Sequence, residues 1–459
     1  MTTQGPTPGR KFAMAILIAM LLAVPLFAVY LLVYDRQEQS RTARASIAAG
    51  WGGPQTIAGP VLVLPYKAQA TESVNVGGRQ VVRTRLVWRE LTLAPQVAEL
   101  RTVLTPERRS RSIYEAVLFE ADASGTARFA LPADLARFGI TADALAYDRA
   151  ELRFGLRDAR GLVDRPPTVV ANGRRLALQP GKGSPATGNA GFFTWLNAGA
   201  IRGAPLAVSF HFAFRGNGWL ALAPQAGDTR WQVTSTWPHP SFQGGFLPAA
   251  PRVSDAGFAA TWRIGNLALG RSLVASGDVV PDTRAEVGDR FDTSITAGDY
   301  EARVDLVSPV DLYSQVNRSV KYGFLFIGFT FVAFLMFDVI GGVRVAMVEY
   351  LLVGAGLVLF FVLLLAFAEV IGFATAYIVA AAAIIGLLAA YSAAVLRSWR
   401  RGGYIAALLT GLYGVLYVLL SLEAYSLLIG ALLLFAALAG VMYLTRNLDW
   451  NGLRSQSAT

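Results

Sequence analysis

Five apolar runs follow one another near the end of the chain: residues 322–337, 350–368, 373–396, 404–422 and 424–444. A helix needs roughly 20 apolar residues to cross ~30 Å of hydrocarbon. Most of the runs approach that length, and the first does so once Asp338 to Ile340 are counted with it. Hardly any charge interrupts them. A water-soluble core has no use for five such runs in succession, so the pattern predicts a membrane bundle. A hydrophobic fraction of 54% over 459 residues agrees.

Residues 12–34 form a sixth apolar run, led by Arg10 and Lys11. The run is longer than the apolar core of a signal peptide, and no small-x-small step follows it. It is therefore expected to stay as an anchor, with Pro25 tolerated inside the span. Lys and Arg concentrate in cytoplasmic loops. With Arg10 and Lys11 inside, the loops carrying Arg344, Arg397 to Arg401, and Arg446 with Arg454 also fall inside. The turns at Glu369 to Gly372 and Leu422 to Ala424, free of Lys and Arg, fall outside. The expected layout has six transmembrane helices (1 + 5) and both termini in the cytoplasm. Residues 1–11 are a cytoplasmic N-terminus, 12–34 the anchor, 35–321 a periplasmic domain, 322–444 the five-helix bundle and 445–459 a cytoplasmic tail.

The long segment between anchor and bundle reads mainly as β. Residues 35–49 lack Gly and Pro and are expected to prolong the first helix. In residues 206–214, Leu206, Val208, Phe210, Phe212 and Phe214 alternate with Ala207, Ser209, His211 and Ala213, the period of a half-buried strand. Residues 81–90, 151–156, 230–236, 257–262 and 300–307 are further strands. Residues 115–131 read as two strand pieces around an Ala123-Ser124-Gly125 loop. Residues 133–138 read as a short helix. About 285 residues exceed the usual size of one hydrophobic core, so a sandwich-like body of two β subdomains, joined near 179–197, is expected.

The chemistry is sparse. The chain has no Cys and only two His, His211 and His239, which excludes disulfides, thiol catalysis and any metal site built on three histidines. No cofactor and no catalytic residue is assigned. The net charge of +10 is scattered rather than gathered into a stripe, so nucleic acid is not expected as a partner. The intramembrane carboxylates Asp338, Glu349, Glu369 and Glu423 sit at span ends, not mid-span where they would mark an ion path. Gly354, Gly356, Gly386, Gly411, Gly414, Gly430 and Gly440 suit close helix packing. Arg446 and Trp450 read as interfacial anchors. His211 lies on the small-residue face of its strand, a structural or solvent-facing position.

The densest feature is Thr236-Trp237-Pro238-His239-Pro240-Ser241-Phe242, running on to Phe246-Leu247-Pro248. Two prolines hold His239 in extended backbone. One reading makes His239 a presented imidazole with Ser241 and Asp255 as partners. No G-x-S-x-G elbow accompanies it, so a periplasmic hydrolase stands as an alternative only. The favoured reading is a rigid aromatic loop packed on the sheet or on a partner, with Trp237, His239, Phe242 and Phe246 as candidate contact residues.

These residues carry a resemblance. The stretch Trp237-Pro238-His239-Pro240-Ser241-Phe242, together with Gly59-Pro60-Val61-Leu62-Val63-Leu64-Pro65, Asp158-Ala159-Arg160-Gly161, Glu349-Tyr350-Leu351-Leu352-Val353-Gly354 and Leu444-Thr445-Arg446-Asn447-Leu448-Asp449-Trp450, resembles the CreD family of bacterial inner-membrane proteins. The likeness runs nearly end to end. It implies the bacterial inner membrane, a link to cell envelope integrity or envelope stress, and no assigned enzymatic activity or ligand. The expected function is therefore non-enzymatic, exerted through the bilayer and a periplasmic or cell-wall protein partner. A transporter or lipid-handling bundle with an accessory domain is the first alternative.

Overall fold

The computed structural model describes residues 8–76, 79–163, 165–276, 300–307, 312–340, 346–395 and 398–421, with scattered positions between 431 and 446. The chain forms two compact units. One comprises Met1–Thr42 with Val310–Thr459, and the other Ala43–Pro309.

The first unit is helical. Helix α1 (Pro8–Ala49) runs 42 residues without a break, through Pro25 and on past the apolar run, as the Gly- and Pro-free sequence predicts. Four helices among the described residues are long and apolar enough to cross a membrane: the stretch Ile16–Ala49 and three near the C-terminus. Further described helices of this unit are α3 (Leu312–Lys321), α4 (Gly323–Ile340), α5 (Met347–Ile371), α6 (Phe373–Val395) and α7 (Trp399–Ser421); α2 (Asn266–Leu269) lies in the second unit. Most of the fifth run lies outside the described residues, as do Arg344, Arg397, Glu423, Gly430, Trp450, Arg454 and the turn at Leu422 to Ala424.

Apolar residues all round a helix fit burial in lipid or in a bundle. Where α5, α6 and α7 meet, Phe360 packs edge-on to Tyr377 and Tyr413, with centroids 5.4 and 4.6 Å away. The Tyr377 hydroxyl donates to the Tyr413 carbonyl at 2.7 Å. Two of the expected packing glycines serve that purpose: a Cβ on Gly354 would collide with Leu22, and one on Gly356 would lie 3.0 Å from Leu388. Beside Gly386, Gly411 and Gly414 no neighbouring atom of the described residues lies within 4 Å of where a Cβ would stand, so no such packing is seen there among the described residues. Glu349 accepts from the Ala346 N–H at 2.8 Å and so caps α5, and Glu369 accepts from the Tyr313 hydroxyl at 3.1 Å. The amphipathic α3 clusters with this unit.

The second unit is a two-sheet β-body. In chain order its strands are β1 (Gln55–Val76), β2 (Arg79–Leu93), β3 (Val97–Arg111), β4 (Tyr114–Phe129), β5 (Ala150–Leu156), β6 (Thr168–Ala171), β7 (Arg174–Arg175), β8 (Gln179–Pro180) and β9 (Gly191–Leu196). Then follow β10 (Leu206–Asn217), β11 (Trp219–Ala223), β12 (Asp228–Ser235), β13 (Pro240–Gly244), β14 (Arg252–Ser254), β15 (Gly257–Gly265), β16 (Val274–Ser276) and β17 (Ala302–Leu306). One sheet runs β13-β17-β11-β1-β5-β9-β8, with β2 on β1 and β16 on β2. The other runs β14-β15-β12-β3-β4-β10-β6-β7.

A single buried cluster draws on both sheets, including Leu62, Leu152 and Leu220 from the first and Leu100, Phe119 and Trp231 from the second. Phe154 meets Phe210 at 5.4 Å, and Phe192 meets Phe212 at 5.4 Å, so aromatic rings interdigitate between the layers. The sandwich-like expectation holds. The division into two subdomains near 179–197 does not: β8 and β9 pair within the first sheet and join the common core.

The alternation read at 206–214 is observed, with Phe210, Phe212 and Phe214 inward. The loop expected at Ala123-Ser124-Gly125 is absent, and β4 runs straight through it. Gly125 misled because its role is close approach rather than turning. A Cβ there would lie 2.7 Å from the Phe210 ring, so the missing side chain lets that ring lie on the strand. The short helix expected at 133–138 is a single 3-10 turn at Leu135–Phe138.

Candidate functional site

The aromatic-proline stretch is a strap between the two layers. It carries the chain from β12 in one sheet to β13 in the other, and residues 245–251 return it to β14. Trp237 is 4% exposed, and its indole N–H donates to the Val307 carbonyl at 3.0 Å. The Val307 N–H donates to the His239 carbonyl at 3.3 Å. Phe242 packs edge-on against Phe258 and Trp262, both at 5.8 Å, and the Phe246 carbonyl accepts from the Trp262 indole at 3.0 Å. Trp262 in turn stacks on Trp231 at 4.6 Å.

Of the four candidate contact residues, Trp237 is thus buried, Phe242 and Phe246 are half-buried against the core, and His239 alone points to solvent. Among the described residues its imidazole has no hydrogen-bond partner. The Ser241 hydroxyl accepts from the Gln243 amide at 3.3 Å, and Asp255 lies in the turn between β14 and β15 on the other sheet. The His239, Ser241 and Asp255 grouping is not hydrogen-bonded together. His211, on the outer face of the second sheet, pairs with Asp122 at 2.9 Å, both side chains nearly half exposed.

A second constellation surrounds the point where the chain passes from α1 into β1. Trp51 lies between two guanidinium groups, Arg109 at 3.8 Å and Arg215 at 4.3 Å from its ring centroid. Below it, the Asp158 carboxylate accepts from the Gly53 N–H at 3.0 Å and from both the backbone and the side chain of Arg160. The Arg160 guanidinium and these backbone donors hold the Asp158 carboxyl down at about 2. The Gln55 side chain donates to the Asp158 and Arg215 carbonyls at 3.0 and 2.9 Å and accepts from the Asp158 N–H at 3.1 Å. Asn217 donates to the Gly52 carbonyl at 2.8 Å. Gly161 is required here, since a Cβ would lie 2.4 Å from the Arg215 carbonyl oxygen.

The tip of the β3–β4 hairpin lies between these two constellations. Arg109 covers Trp51, and Arg111 donates to the Ser46 hydroxyl at 3.2 Å. Arg108 lies over the Trp237 ring at 5.1 Å. Ala116 and Leu118 of β4 pack with Ala48, Ile47 and Trp51 in a small cluster of their own.

Residues 8–451 match the family described as "Inner membrane protein CreD". The chain is also 31% identical over 441 residues to the "Inner membrane protein CreD" of Escherichia coli (strain K12), covering 94% of this chain and 91% of that one. The chain belongs to the CreD family.

It is accordingly a multi-pass inner-membrane protein. Within this CreD-family chain the stretches that carried the resemblance have physical roles. Gly59, at φ +87°, and Pro60 sit at a bulge between Ala58 and Val61 where β1 changes register against β5. Asp158-Ala159-Arg160-Gly161 builds the clamp below Trp51, and Trp237 to Phe242 closes the side of the sandwich. Sequence reading missed Trp51, Gln55, Asn217, Arg108 and Arg109. A tryptophan followed by Gly52-Gly53-Pro54 directly after a helix, and the close-set Arg108, Arg109 and Arg111, were the available signals.

Proposed function

We propose that this CreD-family protein is a non-enzymatic component of cell envelope integrity or envelope stress response, acting by binding or structural support through a β-body held in the periplasm. The full layout is six membrane-spanning helices with both termini cytoplasmic, supported by the distribution of Lys and Arg among the loops. The observation that carries the functional reading is the continuity of the core. Buried apolar side chains from both sheets fill the interior as one cluster, so what the body offers the envelope is its surface.

The working surface is the solvent side of the strap. His239, Gln243 and Leu247 are exposed there, Leu247 to 68%. Trp237, Phe242 and Phe246 support it from beneath, so the partner, a periplasmic or cell-wall protein, meets His239 and Leu247 rather than the buried rings. The transporter reading gains nothing from the α5–α7 contact, where Phe360, Tyr377 and Tyr413 pack ring on ring. The test is complementation of a deletion strain under envelope stress by the triple variant His239→Ala, Gln243→Ala, Leu247→Ala. Normal membrane levels with lost complementation are expected. Full complementation by a normally folded triple variant would remove the strap as the working surface.

A further inference from the structure

We infer that Arg108 and Arg109 form a two-sided latch that couples the incoming and outgoing connections of the β-body, so that neither connection can shift alone. Successive side chains of a strand point to opposite faces. Arg109 and Arg111 therefore share one face of the hairpin, and Arg108 takes the other. The contacts follow that alternation. On one face Arg109 stacks on Trp51 at 3.8 Å and Arg111 donates to Ser46 at 3.2 Å, both on the incoming side. On the opposite face Arg108 lies over Trp237 at 5.1 Å, and Trp237 holds Val307, the residue after β17, by its indole N–H at 3.0 Å.

The hairpin tip is built to hold this position. Its two-residue turn places Ser112 at φ 58°, and Arg111 pairs directly with Tyr114 across it. Glu107, on the same face as Arg109, accepts from the Arg109 Nε at 2.9 Å and so fixes the plane that stacks on the indole. The Trp51 indole also donates to the Phe119 carbonyl of β4 at 3.4 Å, which ties the incoming chain to the hairpin's second strand. A pull on either connection is thus passed to the other through one β-ribbon. Chains of packed side chains and hydrogen bonds of this kind are what carry energetic coupling between separated points.

The test is hydrogen exchange on the full-length protein in lipid nanodiscs. Arg109→Ala should raise exchange about fivefold both around Gly52 and Gly53 and at Val307, and Arg108→Ala should do the same in reverse, a size fitting the loss of one cation–π contact. Arg101→Ala, on the exposed face of β3 away from both tryptophans, should move neither region. If either alanine variant fails to fold, Arg108→Lys and Arg109→Lys keep the charge but lose the planar stacking; the same remote pattern is expected at smaller size. Exchange that rises only at the connection each arginine touches, in the alanine or the lysine pair, overturns the latch.

Discussion

The two connections of the β-body are held by different chemistry. The incoming one, at Trp51 to Gln55, is fixed by a mesh of hydrogen bonds: Asp158 and Asn217 bond the backbone of Gly53 and Gly52, Gln55 bonds the backbone of Asp158 and Arg215, and two arginines lie over an indole. The outgoing one is held by backbone pairing of β17 between β13 and β11, and beyond it at Val307 by aromatic burial, where one indole N–H is the side-chain polar tie. A mesh of polar contacts loses strength in parts, as each donor or acceptor is removed. An aromatic strap loses it in large steps, because each ring buries a large area.

The largest test of that contrast is Trp237→Ala. It removes a ring 4% exposed and leaves the Val307 carbonyl without its donor. Large aromatic truncations cost about 3–5 kcal/mol. The expected result is a β-body that opens at the strap, read as protease cleavage between β12 and β14 and a lower denaturation midpoint. Trp237→Phe keeps most of the burial and loses the hydrogen bond with a small part of the ring, so it should cost less, about 1–3 kcal/mol. Equal effects of the two variants would mean that the polar tie, not the burial, holds the outgoing strand.

Asp158 gives the intermediate effect, with a pH signature on the acid side. Its carboxyl is held down at about 2 by the Arg160 guanidinium and by backbone donors. A depressed folded-state value means the unfolded chain binds the proton more readily. The contribution is therefore whole above the ordinary carboxylate range and fades as pH falls from about 4 toward 2. Asp158→Ala strips the Gly53 N–H of its acceptor and should cost about 1–3 kcal/mol at neutral pH. It should also flatten the acid limb of stability in that window. Hydrogen exchange at Gly53 against pH, wild type beside variant, measures both. An unchanged acid limb would mean that Asp158 does not govern the incoming clamp.

The same contrast explains what was legible in the sequence. The outgoing strap is contiguous: Trp237, Pro238, His239, Pro240 and Phe242 lie side by side, and aromatic-proline density is visible by eye. Strand alternation was equally local, and Phe210, Phe212 and Phe214 were read correctly. The incoming clamp is assembled from Gly53, Gln55, Asp158 and Arg215, residues far apart in the chain except for the first two, and no local pattern links them. Gly125 failed for a related reason, since the ring it accommodates comes from Phe210 on another strand. The subdomain expectation rested on length alone. It failed because strands as long as β1, with 22 residues, and β4, with 16, let one core serve the whole body.

The smallest stability effect belongs to His239, and it separates surface from support within the strap. The residue is exposed, and its contribution to the outgoing side is its carbonyl, which accepts from the Val307 N–H. Any residue supplies that carbonyl, and Pro238 and Pro240 keep the backbone extended whatever stands between them. His239→Ala should therefore shift stability by no more than about 0.5 kcal/mol. Measured on the same denaturation curve as Trp237→Ala, it should leave the midpoint in place while Trp237→Ala moves it far. A loss of several kcal/mol in His239→Ala would show that the imidazole carries part of the strap, and the division between buried rings and a free outer surface would fail. With the midpoint unmoved, any change in envelope phenotype from His239→Ala has to come from what the side chain meets outside the protein.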